Sequence, residues 1–288
     1  MAKIGVVVDS GVSIPEELID EYGIEVVPLV TVFGDKIYRD RIDLKTPSEL
    51  FQLIDKSDEF PTTSAPSPTD YLERYRRLSQ KVDSIFYVSM SSKLSVSFNS
   101  ATMAKEMAEN QLPDINIEVF DSMTTVGAAG FVALAAARAG ASGKDMAQVV
   151  EVAKEVRSKV TMIFIMDTLS YLAKSGRIGK AAALMGNMLS IKPIVEIPTS
   201  SGRVEPVTRV RTKPKALKQL LEIVKQRVGT ENPIHIMVEH TAVPEEAARL
   251  KEIVSAQFNC AELLLCEFNP TGAVTIGPGN LGLSFYRA

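Results

Sequence analysis

The sequence contains little of what metal-based or thiol-based chemistry requires. Its 288 residues include only two cysteines, Cys260 and Cys266, and two histidines, His235 and His240. In a strand, the Cα atoms of the cysteines would lie about 20 Å apart, too far for a disulfide. The two histidines would point to opposite faces of their strand. With no CxxC, HExxH or GxSxG motif, the pattern favours neither a metalloenzyme nor a nucleophilic hydrolase.

The sequence also lacks an excess of basic charge and a long apolar run. Its formal net charge of -3 offers no basic face for nucleic acid or for an anionic membrane. No apolar run approaches the about 20 residues of a membrane-spanning helix, and the opening MAKIGVVVDS is typical of a strand, not of a signal peptide. We therefore expect a cytoplasmic protein that neither binds nucleic acid nor inserts into a membrane.

What the chain does contain is an alternation of apolar strand-like segments with helical patterns. In the first half the strand-like segments are KIGVVVDS, IEVVPLVTVF, SIFYVSM and INIEVFDS. Such alternation is typical of the α/β class. After residue 158 the chain becomes apolar with few charges, so we predict two α/β domains, residues 1–158 and 159–288.

A first cluster of hydroxyl side chains lies in FPTTSAPSPTDYL, residues 60–72. Ser67 starts the pattern S-P-T-D, and we predict that it caps the following helix. Thr62, Thr63 and Ser64 have no such role, and the flanking prolines hold them in an extended path. We interpret these three residues as hydrogen-bond donors presented to a ligand.

A second hydroxyl cluster, SMSSKLSVSFNSA, directly follows the strand-like SIFYV. It therefore lies at the carboxyl end of a strand, where ligands of open α/β sheets collect. Ser91 and Ser92 are candidate ligand contacts. The alternative, that Ser92 or Ser95 caps the next helix, accounts for only one of the five serines from Ser89 to Ser97.

Two further strand-like segments end in the same dipeptide, Asp9-Ser10 and Asp121-Ser122. Acidic groups at one sheet edge can bind a metal or a phosphate-bound cation. An enzyme acting on a small phosphorylated or carboxylated substrate is therefore an alternative function. The other interpretation is that each Asp or Ser caps the turn that follows it.

The second half adds candidate ligand contacts in three segments. Leu184, Met185 and Met188 are expected on an apolar helix, where methionine suits either a flexible apolar ligand or a core. Arg177, in KSGRIGK, can cap the preceding helix or reach an anion. Gly277 lies in GPG, a loop that permits close approach of a ligand or simply connects two strands.

Taken in order, these segments resemble the DegV family of bacterial fatty-acid-binding proteins along essentially the whole chain. The first half contributes VVVDSGVSIP, PTTSAPSP, SMSSKLSVSFNSA and VFDS. The second half contributes TLSYLAKSGRIG, IKPIVEI, VTRVRTKPKAL and GPGNLGLSF. Each segment is weak alone, and their ordered sum is specific.

The resemblance implies a two-domain DegV-like α/β fold, with a mainly parallel N-terminal sheet flanked by helices and a mixed sheet in the C-terminal domain. One long-chain fatty acid would lie in an apolar tunnel between the domains. Its carboxylate would be received by Thr63 and Ser92, with Arg177 nearby. Neither a cofactor nor a metal is implied.

The resemblance also implies a biological role. Family members present the bound fatty acid to a separate fatty acid kinase and are not themselves the catalyst. The chain departs from the family pattern at two positions: Val96 stands where the family usually has glycine, and Thr275 stands where it usually has histidine.

Overall fold

The computed structural model describes residues 3–57, 59–185 and 191–288 and contains three sheets. The first sheet is parallel and is built from the N-terminal half. Its strands, in spatial order, are β2 (Glu25–Val27), β1 (Ile4–Asp9), β6 (Ser84–Ser89) and β7 (Asn116–Asp121). The direction of strand succession reverses between β1 and β6, which makes that point the topological switch of the sheet. The predicted segment IEVVPLVTVF forms two strands, because Pro28 interrupts it between β2 and β3 (Val30–Phe33).

The second sheet is mixed and built from the C-terminal half. Its strands, in spatial order, are β10 (Glu205–Val210), β9 (Lys192–Glu196), β8 (Thr161–Ile165), β13 (Leu281–Arg287), β11 (Ile234–His240) and β12 (Cys260–Glu267). Only the β11–β12 pair is parallel; the other neighbouring pairs are antiparallel. The α/β class and the predicted contrast between a parallel and a mixed sheet are confirmed.

Helices cover both sheets and fill the space between them. Against the outer face of the parallel sheet lie α3 (Pro68–Ser79) and α4 (Ser97–Glu109). Between the sheets lie α5 (Val126–Ala141) and α6 (Met146–Lys159). On the outer face of the mixed sheet lie α8 (Lys213–Val228) and α9 (Pro244–Gln257). The result is a five-layer arrangement in which one core, shared by both sheets, surrounds α5.

A small third sheet lies to one side of this stack. It pairs β4 (Lys36–Arg39), the central β3 and β5 (Thr62–Ser64) in antiparallel fashion. Next to it pack α2 (Pro47–Ile54) and α10 (Pro270–Ile276). The remaining elements are α1 (Glu16–Tyr22), α7 (Ser170–Lys174) and a 3-10 helix (Gly179–Leu184).

Small residues allow α5 to lie between two sheets. Its sequence, VGAAGFVALAAARAGA, is apolar on all sides, as expected for a helix buried all round. The closest approach is at Gly130, where an added Cβ would lie 2.1 Å from the carbonyl oxygen of Ser13. A glycine is therefore required at this position to admit the loop after β1.

A buried carboxylate caps the start of α5. Glu239, on β11, is fully buried and accepts a hydrogen bond of 2.6 Å from the backbone N–H of Gly127. Its other oxygen accepts a hydrogen bond of 2.6 Å from the hydroxyl of Ser284. The first N–H groups of a helix have no partner within the helix, and here water cannot reach them. Glu239 therefore satisfies a donor that would otherwise be buried alone.

Two local expectations can be compared directly with the structure. Ser67 caps α3 as predicted, in a reciprocal capping box with Asp70. After Arg177 the described residues form a short 3-10 helix that ends at Leu184. The part of the expected apolar helix from residue 186 onward lies outside the described residues. Within the described ranges, no helix is both long and apolar enough to cross a membrane. The domain boundary at residue 158 stays a prediction.

Candidate functional site

A cavity of about 410 Å³ lies at the carboxyl edge of the parallel sheet, beside its switch point. The loops after β1 and β6 contribute Gly11 and Met90, and the start of α5 contributes Thr125 and Val126. The inner face of the mixed sheet closes the opposite side. The volume of the cavity falls within the range of about 300–1,000 Å³ that is typical of small-molecule pockets.

Most of the cavity wall is apolar and comes from the strands of the mixed sheet and the segments next to them. The apolar lining residues of the second half are Met162, Phe164, Met166, Leu172, Val195, Ile197, Val204, Phe268 and Ile276. Sequence reasoning missed this wall. The segment TMIFIMD is continuously apolar from Met162 to Met166, so it shows no alternation to mark one face. One signal was available: Met162 and Phe164 lie on one face of the strand, and Ile163 and Ile165 lie on the other.

The hydroxyl groups of the lining come from four other places: strand β5, the loop after β6, the residue before α5, and α10. Four of its hydroxyl groups form hydrogen bonds within the protein, namely those of Ser64, Ser95, Thr125 and Thr271. The hydroxyls of Thr63, Ser92 and Thr275 form none with any other described residue. Those three hydroxyls are therefore free to bind a molecule in the cavity.

Strand pairing sets the direction of Thr63. In the third sheet Thr63 is directly opposite Thr31, and the hydroxyl of Thr31 lies 3.0 Å from that of Thr271. Thr63 and Thr31 therefore share the face that looks toward α10. The extended path expected for this segment is a true strand, β5, whose partner β3 lies about 30 residues earlier in the chain.

Ser92 is held in place through its backbone. Its N–H donates to Oδ1 of Asp121 at 3.2 Å, and the same oxygen accepts from the N–H of Met123 at 2.9 Å. Asp121 therefore closes a turn and fixes the loop that carries Ser92, as the interpretation of Asp121 as a turn cap expected. The alternative that Ser92 or Ser95 caps α4 holds for Ser95 in part: Val96 is the N-cap residue and makes no side-chain cap, but the Ser95 hydroxyl accepts from the N–H of Ser97, the first residue of α4, at 3.2 Å.

Asp9 connects two loops of the cavity wall. It is fully buried; its Oδ1 accepts from the N–H of Gly11 at 2.9 Å, and its Oδ2 accepts from the N–H of Met90 at 3.3 Å and from the hydroxyl of Tyr87 at 2.9 Å. Burial raises the pKa of Asp9 to about 6, against the opposing effect of these hydrogen bonds. Asp9 therefore has a positioning role at the cavity.

Asp40 fixes the start of α10 in the same way. It is 1% exposed, and its Oδ1 accepts from both the N–H and the hydroxyl of Thr271, at 3.0 and 2.8 Å. Its Oδ2 accepts from the hydroxyl of Ser10 at 2.7 Å and from the side-chain amide of Asn269. Burial raises the pKa of Asp40. Sequence reasoning missed this residue, because its partners lie up to 231 positions away.

The predicted site residues therefore separate into two groups. Thr63, Ser92, Arg177 and Thr275 line the cavity. Arg177 also donates to the carbonyl oxygen of Ser175, the C-cap residue of α7, as the capping alternative expected. Direct contact of these four residues with a ligand stays a prediction.

Thr62, Ser91 and Gly277 do not line the cavity. Thr62 is exposed, because it lies on the opposite face of β5 from Thr63. The buried hydroxyl of Ser91 donates to the carbonyl oxygen of Gly202 at 2.8 Å and accepts from the N–H of Lys93. Gly277 ends α10 at φ 80°, where a Cβ would lie 2.5 Å from the ring of Tyr171. Gly277 therefore allows the chain to turn after α10 while packed closely against Tyr171.

The three residues expected to line an apolar tunnel lie elsewhere. Leu184 packs against the core shared by the two sheets, and Met185 is 54% exposed. Neither is part of the cavity wall. Met188 lies outside the described residues.

The acidic groups of the alternative, enzymatic hypothesis are engaged in structural hydrogen bonds. Asp9 and Asp121 each hold a backbone N–H group of the cavity wall, and Ser10 donates to Asp40. In the part of the chain that the structure describes, no group of three or more His, Cys, Asp or Glu side chains is arranged to hold a metal ion.

The fold places this chain among α/β proteins with a cavity between a parallel sheet and a mixed sheet. The family model described as "Uncharacterised protein, DegV family" matches residues 3–288. A DegV domain-containing protein of Streptomyces coelicolor is 33% identical over 282 residues, which are 97% of each chain. The chain belongs to the DegV family.

Solved structures of two relatives have the same fold throughout. One, described as showing fatty acid binding of a DegV family protein from Thermus thermophilus, has 29% identity and a TM-score of 0.91, covering 99% of this chain and 100% of that chain. The other is DegV of Bacillus subtilis, described as a fatty acid binding protein, with 29% identity and a TM-score of 0.89, covering 100% of both chains.

Proposed function

We propose that this protein binds one long-chain fatty acid in the cavity between its two sheets. The carboxylate accepts hydrogen bonds from Thr63 and Ser92, with Thr275 as a further donor. One observation carries the proposal: of the hydroxyls that line the cavity, these three have no partner among the described residues, whereas the other four do. The descriptions of the Thermus thermophilus and Bacillus subtilis relatives as fatty acid binding support it.

The chemistry of the wall suits such an amphiphile. A carboxylate removed from water needs several hydrogen bonds, and charge-assisted bonds from hydroxyls are among the stronger ones. The acyl chain would lie against the apolar wall of Met162, Phe164 and their neighbours. At about 0.8 kcal/mol per buried CH₂, a C16 chain contributes on the order of 10 kcal/mol before ordering costs. Tail burial therefore provides most of the affinity.

We further propose that the protein is a carrier and not a catalyst, and that it presents the carboxylate to a separate fatty acid kinase. Membership of the DegV family supports this role. Thr275 lines the cavity at the position where the family usually has histidine. A threonine donates a hydrogen bond but carries no positive charge and does not shuttle a proton near neutral pH. Its presence leaves lipid binding intact and affects the presentation step.

The site is tested with Thr63→Val and Ser92→Ala in delipidated protein. Each variant removes one hydrogen bond to a charged group, worth about 1.5–3 kcal/mol, so the Kd for palmitate rises about tenfold or more. Thr62→Val is the matched control, because Thr62 is on the same strand but faces away from the cavity. Equilibrium dialysis gives the Kd values, and circular dichroism checks folding. Unchanged affinity in both Thr63→Val and Ser92→Ala would show that the carboxylate lies elsewhere.

A further inference from the structure

Three buried or half-buried carboxylates lie directly behind the polar wall of the cavity. Asp9 holds the backbone of Gly11 and Met90, Asp40 holds Thr271, and Asp121 holds Ser92. Each of the four held residues is itself part of the lining. Only one layer of lining residues therefore separates an anionic head group in the cavity from these three acidic side chains. Hydroxyl donors form charge-assisted hydrogen bonds with a carboxylate, but they add no positive charge that would offset this repulsion.

Two cations also belong to the lining, Lys93 and Arg177. Arg177 donates to the carbonyl oxygen of Ser175, so part of its hydrogen-bonding capacity is used within its own turn. Lys93 differs: over residues 3–57, 59–185 and 191–288, its ammonium group forms neither an ion pair nor a hydrogen bond. It is the cation of the cavity that is free to meet an anion.

The base of the Lys93 side chain is held in place next to Ser92. Its backbone N–H donates to the hydroxyl of Ser91 at 3.2 Å, and that hydroxyl donates to the carbonyl oxygen of Gly202 at 2.8 Å. Gly202 is in the left-handed region at φ 65°, and a Cβ added there would lie 3.2 Å from Cγ of Lys93. The stem of Lys93 therefore packs closely against the glycine turn. This arrangement fixes the start of the side chain at the cavity and leaves its charged end to move.

From this geometry we infer that Lys93 is the residue that makes the cavity select an ionised acid over a neutral molecule with the same tail. The inference deepens the proposed fatty acid site and rests on it. The ammonium group offsets the negative field of Asp9, Asp40 and Asp121, and it attracts the carboxylate that Thr63 and Ser92 then hydrogen-bond. Because Lys93 is exposed, its attraction is screened by salt.

The experiment compares palmitate with 1-hexadecanol, which has the same number of carbons and no charge. Equilibrium dialysis of delipidated wild type, Lys93→Met and Lys93→Arg gives the Kd of each ligand at about 50 and about 500 mM salt. In Lys93→Met the Kd for palmitate rises about fivefold at low salt. This change is at the upper end of what an exposed ion pair contributes and below what a hydrogen bond to a charged group contributes. The Kd for hexadecanol is unchanged, and Lys93→Arg restores palmitate binding. Lys105→Met is the control, because Lys105 pairs with Glu118 outside the cavity.

The outcomes separate this inference from the proposed function. Equal loss of both ligands in Lys93→Met would mean that the lysine acts through packing, and unchanged palmitate affinity would mean that its charge is not used. Either result overturns the inference while leaving the fatty acid site standing. Failure of wild type to bind either ligand would overturn the proposed function, and the inference with it.

Discussion

Glu239 gives a stability prediction whose sign and size follow from its surroundings. Burial raises the pKa of this carboxyl group from 4.5 to about 7, against hydrogen bonds from Ser284 and Gly127 that lower it. Above pH 7 the folded protein must hold a buried carboxylate, whereas below about pH 4.5 the group is neutral in both folded and unfolded states. The destabilisation is therefore complete above pH 7 and absent in acid.

Glu239→Gln replaces the carboxyl group with a neutral one of the same shape. The glutamine oxygen can accept from the N–H of Gly127, and its amide can donate to the hydroxyl of Ser284, as a protonated glutamate would. The difference between the two pKa values corresponds to about 3 kcal/mol at pH 8 and to under about 1 kcal/mol at pH 5. We expect the variant to be more stable than wild type at pH 8, and close to wild type at pH 5.

Urea unfolding of delipidated protein at the two pH values measures this difference. Glu262→Gln is the control with the opposite sign. Burial of Glu262 is outweighed by hydrogen bonds from His235 and Arg138, which lower its pKa to about 2. Because Glu262 stabilises the fold throughout this pH range, its variant is less stable at both values. If Glu239→Gln is destabilised equally at pH 5 and pH 8, the charge of Glu239 carries no cost and the reasoning is wrong.

Two further predictions concern α5 and α10. Gly130→Ala places a Cβ 2.1 Å from the carbonyl oxygen of Ser13 and lowers the free energy of unfolding by about 1–3 kcal/mol, whereas Gly140→Ala on the same helix, with its nearest contact at 3.3 Å, changes it by less than about 1 kcal/mol. Equal effects of the two alanines in urea titrations would contradict the packing of α5. Thr275→His increases acyl-phosphate formation at saturating fatty acid and fixed kinase, because a charged imidazole orients the ionised carboxylate more firmly than the neutral hydrogen bond of threonine. Equal rates would show that the threonine is neutral for presentation.

The parts of the fold that were predictable from the sequence are those in which the pattern is local. The strand-like segments of β1, β6 and β7 are short apolar runs followed by polar turns, and Ser67 stands directly before the proline of a helix start. Such features depend on a few neighbouring residues. The carboxyl edge of the parallel sheet follows from them, because parallel strands all end on one side.

The choice between neighbouring hydroxyls depended on contacts that are distant in sequence. Thr63 faces the cavity and Thr62 does not, because β5 pairs with β3. Ser92 has a free hydroxyl and Ser91 does not, because Gly202 lies against Ser91, 111 positions later. Two adjacent residues of the same chemistry cannot be told apart by composition or spacing. The partners that separate them come from another strand or from the other half of the chain.

The apolar wall was not predictable for a related reason. The segment of β8 is apolar on both faces, since one face meets α5 and the cavity and the other meets α8. The sequence predicted an apolar wall in the methionine-rich segment after Arg177, but Leu184 and Met185 lie outside the cavity wall. Periodicity identifies a face only where the opposite face is polar.

The central claim, that the cavity holds one long-chain fatty acid, is tested most directly by native mass spectrometry of gently purified protein before and after organic extraction. We expect a single adduct with the mass of a fatty acid of about 14 to 18 carbons, because a tail of that size buries enough methylenes to outweigh the cost of association. Extraction removes the adduct, and added palmitate or oleate restores one. Protein that carries no adduct and takes up neither fatty acid after extraction would contradict the account.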